Sequence, residues 1–180
     1  KQFKKVLDVT IKVLEQKLIE TINGDILGEV YNNNRIKLQS LKSEFGKKMG
    51  KKVLIHRYHN RYFHDGVLEI PSQTIDWKET VLEINSNMSD KVNFVIFPYP
   101  DGGWAAQCVP PSIEEELSQR IPFPAEWAGQ TSNLSEISGV GGAILCHNYR
   151  FFARATDKES IIQMCGIATS LYGNPEMQKS

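Results

Sequence analysis

The first fifty residues place apolar side chains at helical spacings. One stripe alternates steps of four and three, and it comprises Phe3, Leu7, Ile11, Leu14, Leu18 and Ile22. This spacing lays the stripe along one side of a helix that ends near Asn23-Gly24. A second helical pattern follows the polar run at 32–34, ends at Gly46 or Gly50, and comprises Leu38, Leu41, Phe45 and Met49. The sequence therefore predicts two helices before residue 50.

From Val53 onward, short apolar runs alternate with turn signals. Such runs are typical of strands, and they are predicted at 53–57, 67–70, 92–97, 104–109 and 143–147. The segment Pro-Tyr-Pro-Asp-Gly-Gly at 98–103 indicates a tight turn, so the runs on either side of it are predicted to form a hairpin.

Two further helices are predicted among these strands. Residues 75–85 place Trp77, Val81 and Ile84 on one side of a helix, and Glu114-Glu115-Glu116 is typical of a solvated first helical turn. The last helix begins near Thr156, which forms a capping box with Glu159, and ends at Gly173-Asn174-Pro175. Its predicted apolar face comprises Ile161, Ile162, Cys165, Ala168 and Leu171.

Strands mixed with helices, without regular alternation, predict an α+β fold with a mixed β-sheet covered by helices. We expect a helical extension at residues 1–52 and an α+β domain at residues 53–180. The stripe at 3–22 is close to a heptad pattern, which leaves a homodimer open, although it is too short to define a coiled coil.

The net charge of zero conceals two oppositely charged segments. Residues 35–64 hold nine Lys or Arg against the single acid Glu44, whereas residues 65–136 hold three against twelve acids. A basic face of this kind favours polyanions. The alternative is that the two segments neutralise each other or are simply solvated.

Composition also restricts the compartment. No apolar run approaches the length of about 20 residues that crosses a bilayer, so no membrane association is expected. The three cysteines at 108, 146 and 165 are widely spaced among apolar neighbours. They are expected to be reduced core thiols in an intracellular, cytoplasmic protein.

The histidine-rich segment at 56–65 contains the residue types that bind transition metals. These are His56, His59, His64 and Asp65, but their spacing on a strand and the neighbouring arginines do not favour a metal there. A competing interpretation is a basic strand or loop that contacts phosphates while its aromatic residues stack on bases. The third interpretation is a solvated positive face whose aromatic residues lie in the core.

The segment at 138–159 is the strongest candidate for anion binding. Gly139, Gly141 and Gly142 precede an apolar run that ends at His147, and Arg150 and Arg154 come before the capped helix. Glycines let backbone amides approach a phosphate, while a helix N-terminus, Arg and His add favourable charge. A buried histidine with its hydrogen bonds satisfied is the alternative for His147. Other catalytic signatures, such as a phosphate-binding glycine loop or a nucleophile elbow, are missing from the sequence.

Three stretches resemble the melanocyte-proliferating-gene (MYG) type exonucleases of the DHH phosphoesterase superfamily. DGVLEIPSQTIDWKE is similar to the family's strand and tryptophan-lysine-glutamate helix start. VNFVIFPYPDGGWAAQCVP is similar to its strand, turn and Trp-Arg-x-Gln-x-Val-Pro strand. The stretch from Ile121 to Met164 is similar to its closing block of proline-tryptophan-glycine, leucine-serine, serine-glycine and histidine motifs.

The resemblance covers roughly residues 65–172 and implies the C-terminal, substrate-side half of a metal-dependent phosphodiesterase. Family members begin with a domain whose Asp-His-His motif binds divalent metals, and no Asp-His-His occurs in this sequence. We therefore expect Mn²⁺ or Mg²⁺ to be bound outside this chain, by an N-terminal metal-binding domain, with no catalytic residue here and no activity of the chain alone. A start at Lys1, without a methionine, is consistent with truncation or processing of a longer chain, and a naturally short chain is the alternative. The resemblance also allows a mitochondrial or nuclear location in eukaryotes.

The resemblance implies ten substrate-binding residues. The family's tryptophan-arginine pairs become Trp104-Ala105 and Trp127-Ala128, and its Gly-rich run after the histidine becomes residues 149–154. The expected contacts with RNA or an oligonucleotide are Ser138, Gly139, Gly141, Gly142, His147, Arg150, Arg154, Trp104, Gln107 and Trp127. In this hypothesis His147 and the glycine backbone hold a phosphate and a tryptophan stacks on a base. The alternatives are a non-catalytic binding or assembly module and a small-molecule phosphoesterase.

Overall fold

The computed structural model describes residues 27–173. The chain divides into two compact units, residues 1–46 and residues 47–180. The helix predicted at 3–22 lies outside the described residues. The predicted domain boundary after residue 52 lies inside the first described helix.

That helix, α1, runs without interruption over Leu27–Tyr58. The predicted break at 32–34, the predicted end at Gly46 or Gly50 and the predicted strand at 53–57 are therefore wrong. Leu54 and Tyr58, which are four residues apart, are both buried, so the apolar run belongs to one side of a helix. A glycine inside a helix costs only about 1 kcal/mol, which α1 tolerates at both positions.

A six-stranded sheet forms the centre of the larger unit. Its order is β1-β2-β3-β4-β6-β5, and only the β2–β3 pair is parallel among the described strands. The strands are β1 (Phe63–His64), β2 (Val67–Glu69), β3 (Phe94–Pro98), β4 (Trp104–Cys108), β5 (Ala143–Cys146) and β6 (Phe152–Ala155). Four predicted strands are thus confirmed, as is the hairpin formed by β3 and β4 across the turn at 98–103.

Strand β6 and the hairpin of β1 and β2 were not predicted. Asp65 (φ 49°) and Gly66 (φ 78°) join β1 to β2 with two positive φ angles. A two-residue turn of this kind matches the twist of antiparallel strands. The Asp-Gly dipeptide is the sequence signal that identifies it.

The side chains of the strands alternate between two buried clusters, one on each face of the sheet. On the first face, Ile96 and Ala106 pack with α4 (Lys158–Tyr172) and with Phe123, Trp127 and Leu134. On the second face, Val95 and Ala105 pack with the end of α1 and with α2 (Lys78–Asn87). The predicted buried side of α2 is confirmed for Trp77, Val81 and Ile84.

Two of the predicted helices need correction. The N-cap of α4 is Asp157, whose side chain accepts a hydrogen bond from the Ser160 amide, and not Thr156. Met164 is buried on α4 in place of the predicted Ile162 and Leu171, which are exposed. Residues 114–117 form a turn and not a helix.

Short elements close the fold on the first face. They are a 3₁₀ helix (Ala125–Trp127) and α3 (Leu134–Ser138). The segment between them runs along the outer edge of β5, where the Cys146 amide donates to Gln130 O (3.0 Å) and Cys146 O accepts from the Gly129 amide (3.1 Å). These contacts position β5 and the turn that follows it.

The α+β class, with a mixed sheet between helices, is confirmed. Among residues 27–173, none of the helices combines the length and the apolar character that crossing a bilayer requires.

Candidate functional site

Residues 147–150 form the tight turn between β5 and β6. The His147 amide donates to Phe152 O (2.9 Å), and the Arg150 amide donates back to His147 O (2.8 Å). Arg150 has φ 59°, a left-handed conformation that residues with a bulky side chain rarely adopt. The turn therefore needs support from its surroundings.

Phe123 supplies this support. Its amide donates to Arg150 O (3.0 Å), and Arg150 Nη1 donates to Phe123 O (3.4 Å). Phe123 is fully buried, and its ring lies 5.4 Å from Phe94 and 6.2 Å from Trp127 between centroids. The turn is thus anchored to the core, and the Arg150 guanidinium takes part in the anchor.

The His147 ring is half-buried at the start of this turn. Its Nδ1 accepts a hydrogen bond from the Tyr149 amide (3.2 Å), which requires that nitrogen to be unprotonated. The ring proton of neutral His147 is therefore on Nε2. The ring centroid lies 4.5 Å from that of Phe151 and 5.6 Å from that of Tyr149. His147 thus carries an Nε2–H donor within a small aromatic cluster.

A groove of about 690 Å³ lies beside this cluster. Its lining includes Gln107, Tyr149 and Phe151, together with Lys78 and the turn at 116–119. Tyr149 is 76% exposed, so its ring is available to a ligand. The thiol of Cys108 also lines the groove, but burial raises its pKa well above the ordinary range.

The glycine segment is built around the start of α4. Gly139 (φ 70°) ends α3, and Ser138 Oγ accepts from the Val140 amide (3.1 Å). Gly142 O accepts from the Thr156 amide (2.8 Å). A Cβ atom on Gly142 would collide with Ser160 Oγ, and it would lie 2.6 Å from Thr156 Oγ1. Gly142 is therefore required for close packing.

Asp157 already supplies negative charge to the N-terminus of α4. Its carboxylate accepts from the Ser160 amide (2.8 Å), from Ser160 Oγ (2.9 Å) and from Thr156 Oγ1 (2.7 Å). These hydrogen bonds lower the pKa of the Asp157 carboxyl. The bond from the Ser160 amide has the largest effect, and those from the two hydroxyls have smaller ones. A phosphate at this helix start would meet a carboxylate. This geometry argues against the predicted phosphate contact of Gly139, Gly141 and Gly142.

Strand β5 separates the two parts of the predicted phosphate site. Gly142 is joined to Thr156 at one end of the β5–β6 hairpin, and His147 is joined to Phe152 at the other. Five extended residues span roughly 16 Å. The predicted residues therefore form two separate groups, with Gly139, Gly141 and Gly142 before β5 and His147 and Arg150 after it.

The Arg154 side chain reaches the turn at 98–103 and not the His147 turn. Its guanidinium forms an ion pair with Asp101 and lies 4.0 Å from the centre of the Tyr99 ring. Its Nε atom is buried without a hydrogen-bond partner in the described part of the chain. The charge of Arg154 is thus directed to Asp101 and not to His147.

The two predicted stacking tryptophans differ in exposure. Trp127 is only 2% exposed and packs in the core, a position that leaves no ring face for a base. Trp104 is partly exposed at the start of β4, and Lys158 Nζ lies 5.5 Å from the centre of its ring. The structure therefore gives Trp127 a core role instead of the predicted ligand role.

Within residues 27–173, no group of three or more His, Cys, Asp or Glu side chains is placed to hold a metal ion. His56 is exposed on α1 and His59 is exposed in the turn that follows it, while His64 Nδ1 lies 3.0 Å from Asp65 Oδ2 at the β1–β2 turn. The described residues therefore do not fit a divalent metal.

Sequence reasoning missed Tyr149, Phe151 and Lys78. Tyr149 and Phe151 belong to the stretch at 149–154 in which the chain departs from the Gly-rich run of the MYG type. Aromatic residues in place of glycines were a signal that could have identified them.

The fold, the His147 turn and the groove can be set beside known proteins. The family model MYG1_exonuc, described as an uncharacterised protein family (UPF0160), matches residues 36–169. The chain therefore belongs to the MYG1 family, as its sequence motifs predicted. No solved structure is significantly similar to it.

Several curated relatives match parts of the chain. The MYG1 protein of Chlamydia pneumoniae is 40% identical over 68 residues, which are 37% of this chain and 23% of that protein. The MYG1 exonuclease of Mus musculus is 31% identical over 101 residues, which are 54% of this chain and 26% of the mouse protein. The MYG1 protein of Chlamydia trachomatis is 35% identical over 85 residues, 47% of this chain and 29% of that protein. The chain thus spans about a quarter of the length of these relatives.

Proposed function

We propose that this chain is the substrate-binding part of an exonuclease-like phosphodiesterase of the DHH superfamily that acts on single-stranded RNA or oligonucleotides. The observation that carries the proposal is the His147 turn, in which a ring with an Nε2–H donor packs against Tyr149 and Phe151. These two residues line an open groove, in a family whose mouse member is named an exonuclease. An intracellular location is part of the proposal, because all three thiols are free and buried.

In this proposal, His147 Nε2–H donates a hydrogen bond to a phosphate oxygen of the substrate. The hydrogen bond from the Tyr149 amide to Nδ1 holds the ring in the tautomer that donates from Nε2. The anchor between Arg150 and Phe123 keeps the turn in place, so the donor is oriented before the substrate arrives. The Mn²⁺ or Mg²⁺ that such hydrolysis uses is expected on a part of the protein outside the described residues.

Binding to the 180-residue chain tests this function directly. A labelled single-stranded RNA should bind to the chain. Its affinity should fall as the salt concentration rises from about 50 to about 200 mM, because phosphate contacts release counterions. A His147→Ala variant should bind at least about fivefold more weakly, in line with the loss of a hydrogen bond to a charged group. His147→Gln, which retains an N–H donor, should lose less. Unchanged binding of RNA by His147→Ala would count against the assignment.

Activity gives a second test. The 180-residue chain supplied with Mn²⁺ is expected to show no hydrolysis by itself. In the longer protein, His147→Ala should lower kcat by about tenfold or more while the bound metal is unchanged, since it removes a donor to the reacting group.

A non-catalytic assembly module is the second candidate. It is favoured by the commitment of both nearby guanidinium groups to the protein itself, Arg150 to Phe123 O and Arg154 to Asp101. Tight association with another protein, together with no binding of RNA at either salt concentration, would support this candidate.

A further inference from the structure

We propose that the groove beside the β5–β6 turn is a nucleobase subsite, in which a base stacks on Tyr149 and Phe151 and pairs with the side-chain amide of Gln107. This inference rests on the proposed function and specifies which part of the substrate the groove receives. It replaces the predicted stacking on Trp127, which lies in the core.

The aromatic wall provides the stacking surface. Tyr149 is 76% exposed and Phe151 is half-buried, and the centroid of the His147 ring lies 5.6 Å from that of Tyr149 and 4.5 Å from that of Phe151. Stacking of a base on an aromatic ring contributes substantially to single-strand binding and tolerates any sequence, because every base has a π face. The wall is also held in place, since the Arg150 main chain and side chain are bonded to the buried Phe123.

Gln107 provides the polar contact. It lies on β4, paired with Val95 on one side and Phe152 on the other, so its backbone is fixed in the interior of the sheet. Gln107 also lines the groove. An amide carries both a donor and an acceptor, and each of the four bases offers both on its pairing edge. Gln107 is thus suited to satisfy any base, as an exonuclease requires.

A cation in the lining of the groove suits the phosphate of the same nucleotide. Lys78, the first residue of α2, lines the groove and forms an ion pair with Glu116, which also lines it. A nucleotide phosphate would therefore bind Lys78 by displacing the Glu116 carboxylate. The groove volume of about 690 Å³ falls within the range of about 300–1,000 Å³ that is usual for small-ligand sites.

The experiment follows the Gln107 side-chain amide of the ¹⁵N-labelled 180-residue chain by NMR. The probes are the four nucleoside 5′-monophosphates, with ribose 5-phosphate as the ligand that lacks a base. All four nucleotides should shift the Gln107 resonances with dissociation constants within about fivefold of one another, while ribose 5-phosphate should bind at least about fivefold more weakly.

Variants separate stacking from folding. Tyr149→Ala should weaken nucleotide binding by about fivefold or more, whereas Tyr149→Phe, which keeps the ring, should stay within about twofold. Gln107→Leu should lose affinity for nucleotides but not for ribose 5-phosphate. Leu171→Ala, on the exposed side of α4, is the control, and its affinity should be unchanged. Urea unfolding of each variant verifies that it is folded.

Three results would overturn the subsite: equal binding of nucleotides and ribose 5-phosphate, shifts that spare Gln107, or unchanged affinity in Tyr149→Ala. The outcome is separable from that of the proposed function. If RNA binds with the expected salt dependence but Gln107 does not respond, the nucleobase subsite is wrong and the proposed function still stands. If nucleotides bind in the groove but RNA does not bind, the proposed function is wrong and the subsite still stands.

Discussion

Arg150 and Phe123 are joined by two reciprocal hydrogen bonds: the Phe123 amide donates to Arg150 O at 3.0 Å, and Arg150 Nη1 donates to Phe123 O at 3.4 Å. This pair connects the β5–β6 turn, which carries the exposed Tyr149, to the core of the described chain. It also holds an arginine at φ 59°, where a side chain is disfavoured.

Replacing Arg150 tests how the turn is held. Arg150→Ala and Arg150→Gly both lose the guanidinium hydrogen bond, but only alanine keeps a Cβ in the left-handed conformation. We expect the glycine variant to be more stable than the alanine variant by about 1 kcal/mol. Urea unfolding of both variants measures the difference. Equal stability, or a more stable alanine variant, would contradict the backbone conformation described here.

The two neighbouring glycines should respond differently to alanine. At Gly142 a Cβ would lie 2.6 Å from Thr156 Oγ1 and 2.8 Å from Asp157 Oδ2, whereas nothing lies within 4 Å of a Cβ at Gly141. Gly142→Ala should therefore lower the free energy of unfolding by about 1–3 kcal/mol. Gly141→Ala should stay within about 0.5 kcal/mol of the original protein. If both variants unfold at the same urea concentration, the packing of Gly142 against α4 is wrong.

The cap of α4 should make stability depend on acid. Hydrogen bonds from Ser160 and Thr156 lower the pKa of the Asp157 carboxyl below its ordinary value near 3.8. A lowered pKa stabilises the folded state above the ordinary value, and this contribution is lost as the pH falls through the folded value. Asp157→Asn should therefore have a lower urea midpoint than the original protein at neutral pH.

The same comparison in acid supplies the control, because the carboxyl loses its charge in both states once the pH has fallen through the folded pKa. The difference between Asp157→Asn and the original protein should shrink there. Asp157→Ala, which has no acceptor, should be less stable than Asp157→Asn at both pH values. A difference that persists unchanged in acid would assign the effect to packing and not to charge.

The thiols should be protected by burial. Burial raises the pKa of Cys146 to about 12 and also raises the pKa of Cys108 and Cys165. Iodoacetamide at about pH 8 should thus alkylate the native chain at least about tenfold more slowly than the chain in urea, since the thiolate is the reactive form. Rapid labelling of one native cysteine, located by mass spectrometry, would show that its surroundings are open.

These raised values also fix the direction of the alkaline effect. A thiol whose folded pKa is raised stabilises the folded state below its unfolded pKa, near 8.5, and this contribution is lost as the pH rises. The urea midpoint should therefore fall between about pH 8 and pH 10, and the fall should be smaller in a Cys108→Ala variant than in the original protein.

Local patterns predicted much of the sheet but not the long helix. Val95 and Ala105 alternate with Ile96 and Ala106 between the two buried faces, and that period identifies strands from sequence alone. The run at 53–57 is similarly apolar, but it belongs to the end of α1. Leu54 and Tyr58 lie on the side of that helix that packs into the core. Tertiary packing decides such cases, and a short apolar run does not reveal it.

The candidate site was predictable by residue type and not by arrangement. Motifs predicted one site that contains both His147 and Gly142, yet the distance between these two residues depends on the extended strand between them. The chemistry at the start of α4 was also misread, because Asp157 takes the position that an anion would occupy. The order of residues along the chain does not reveal which side chain accepts the hydrogen bonds of the free amides at a helix N-terminus.

The outer edges of the sheet bear on how the protein behaves when it is concentrated. Strand addition by another molecule requires a run of free backbone groups along an edge. In the described sheet, β1 has only two residues at one edge, and at the other the outward groups of Cys146 are already bonded to residues 129 and 130. Cross-β aggregation of the native protein is therefore not expected to start from this sheet.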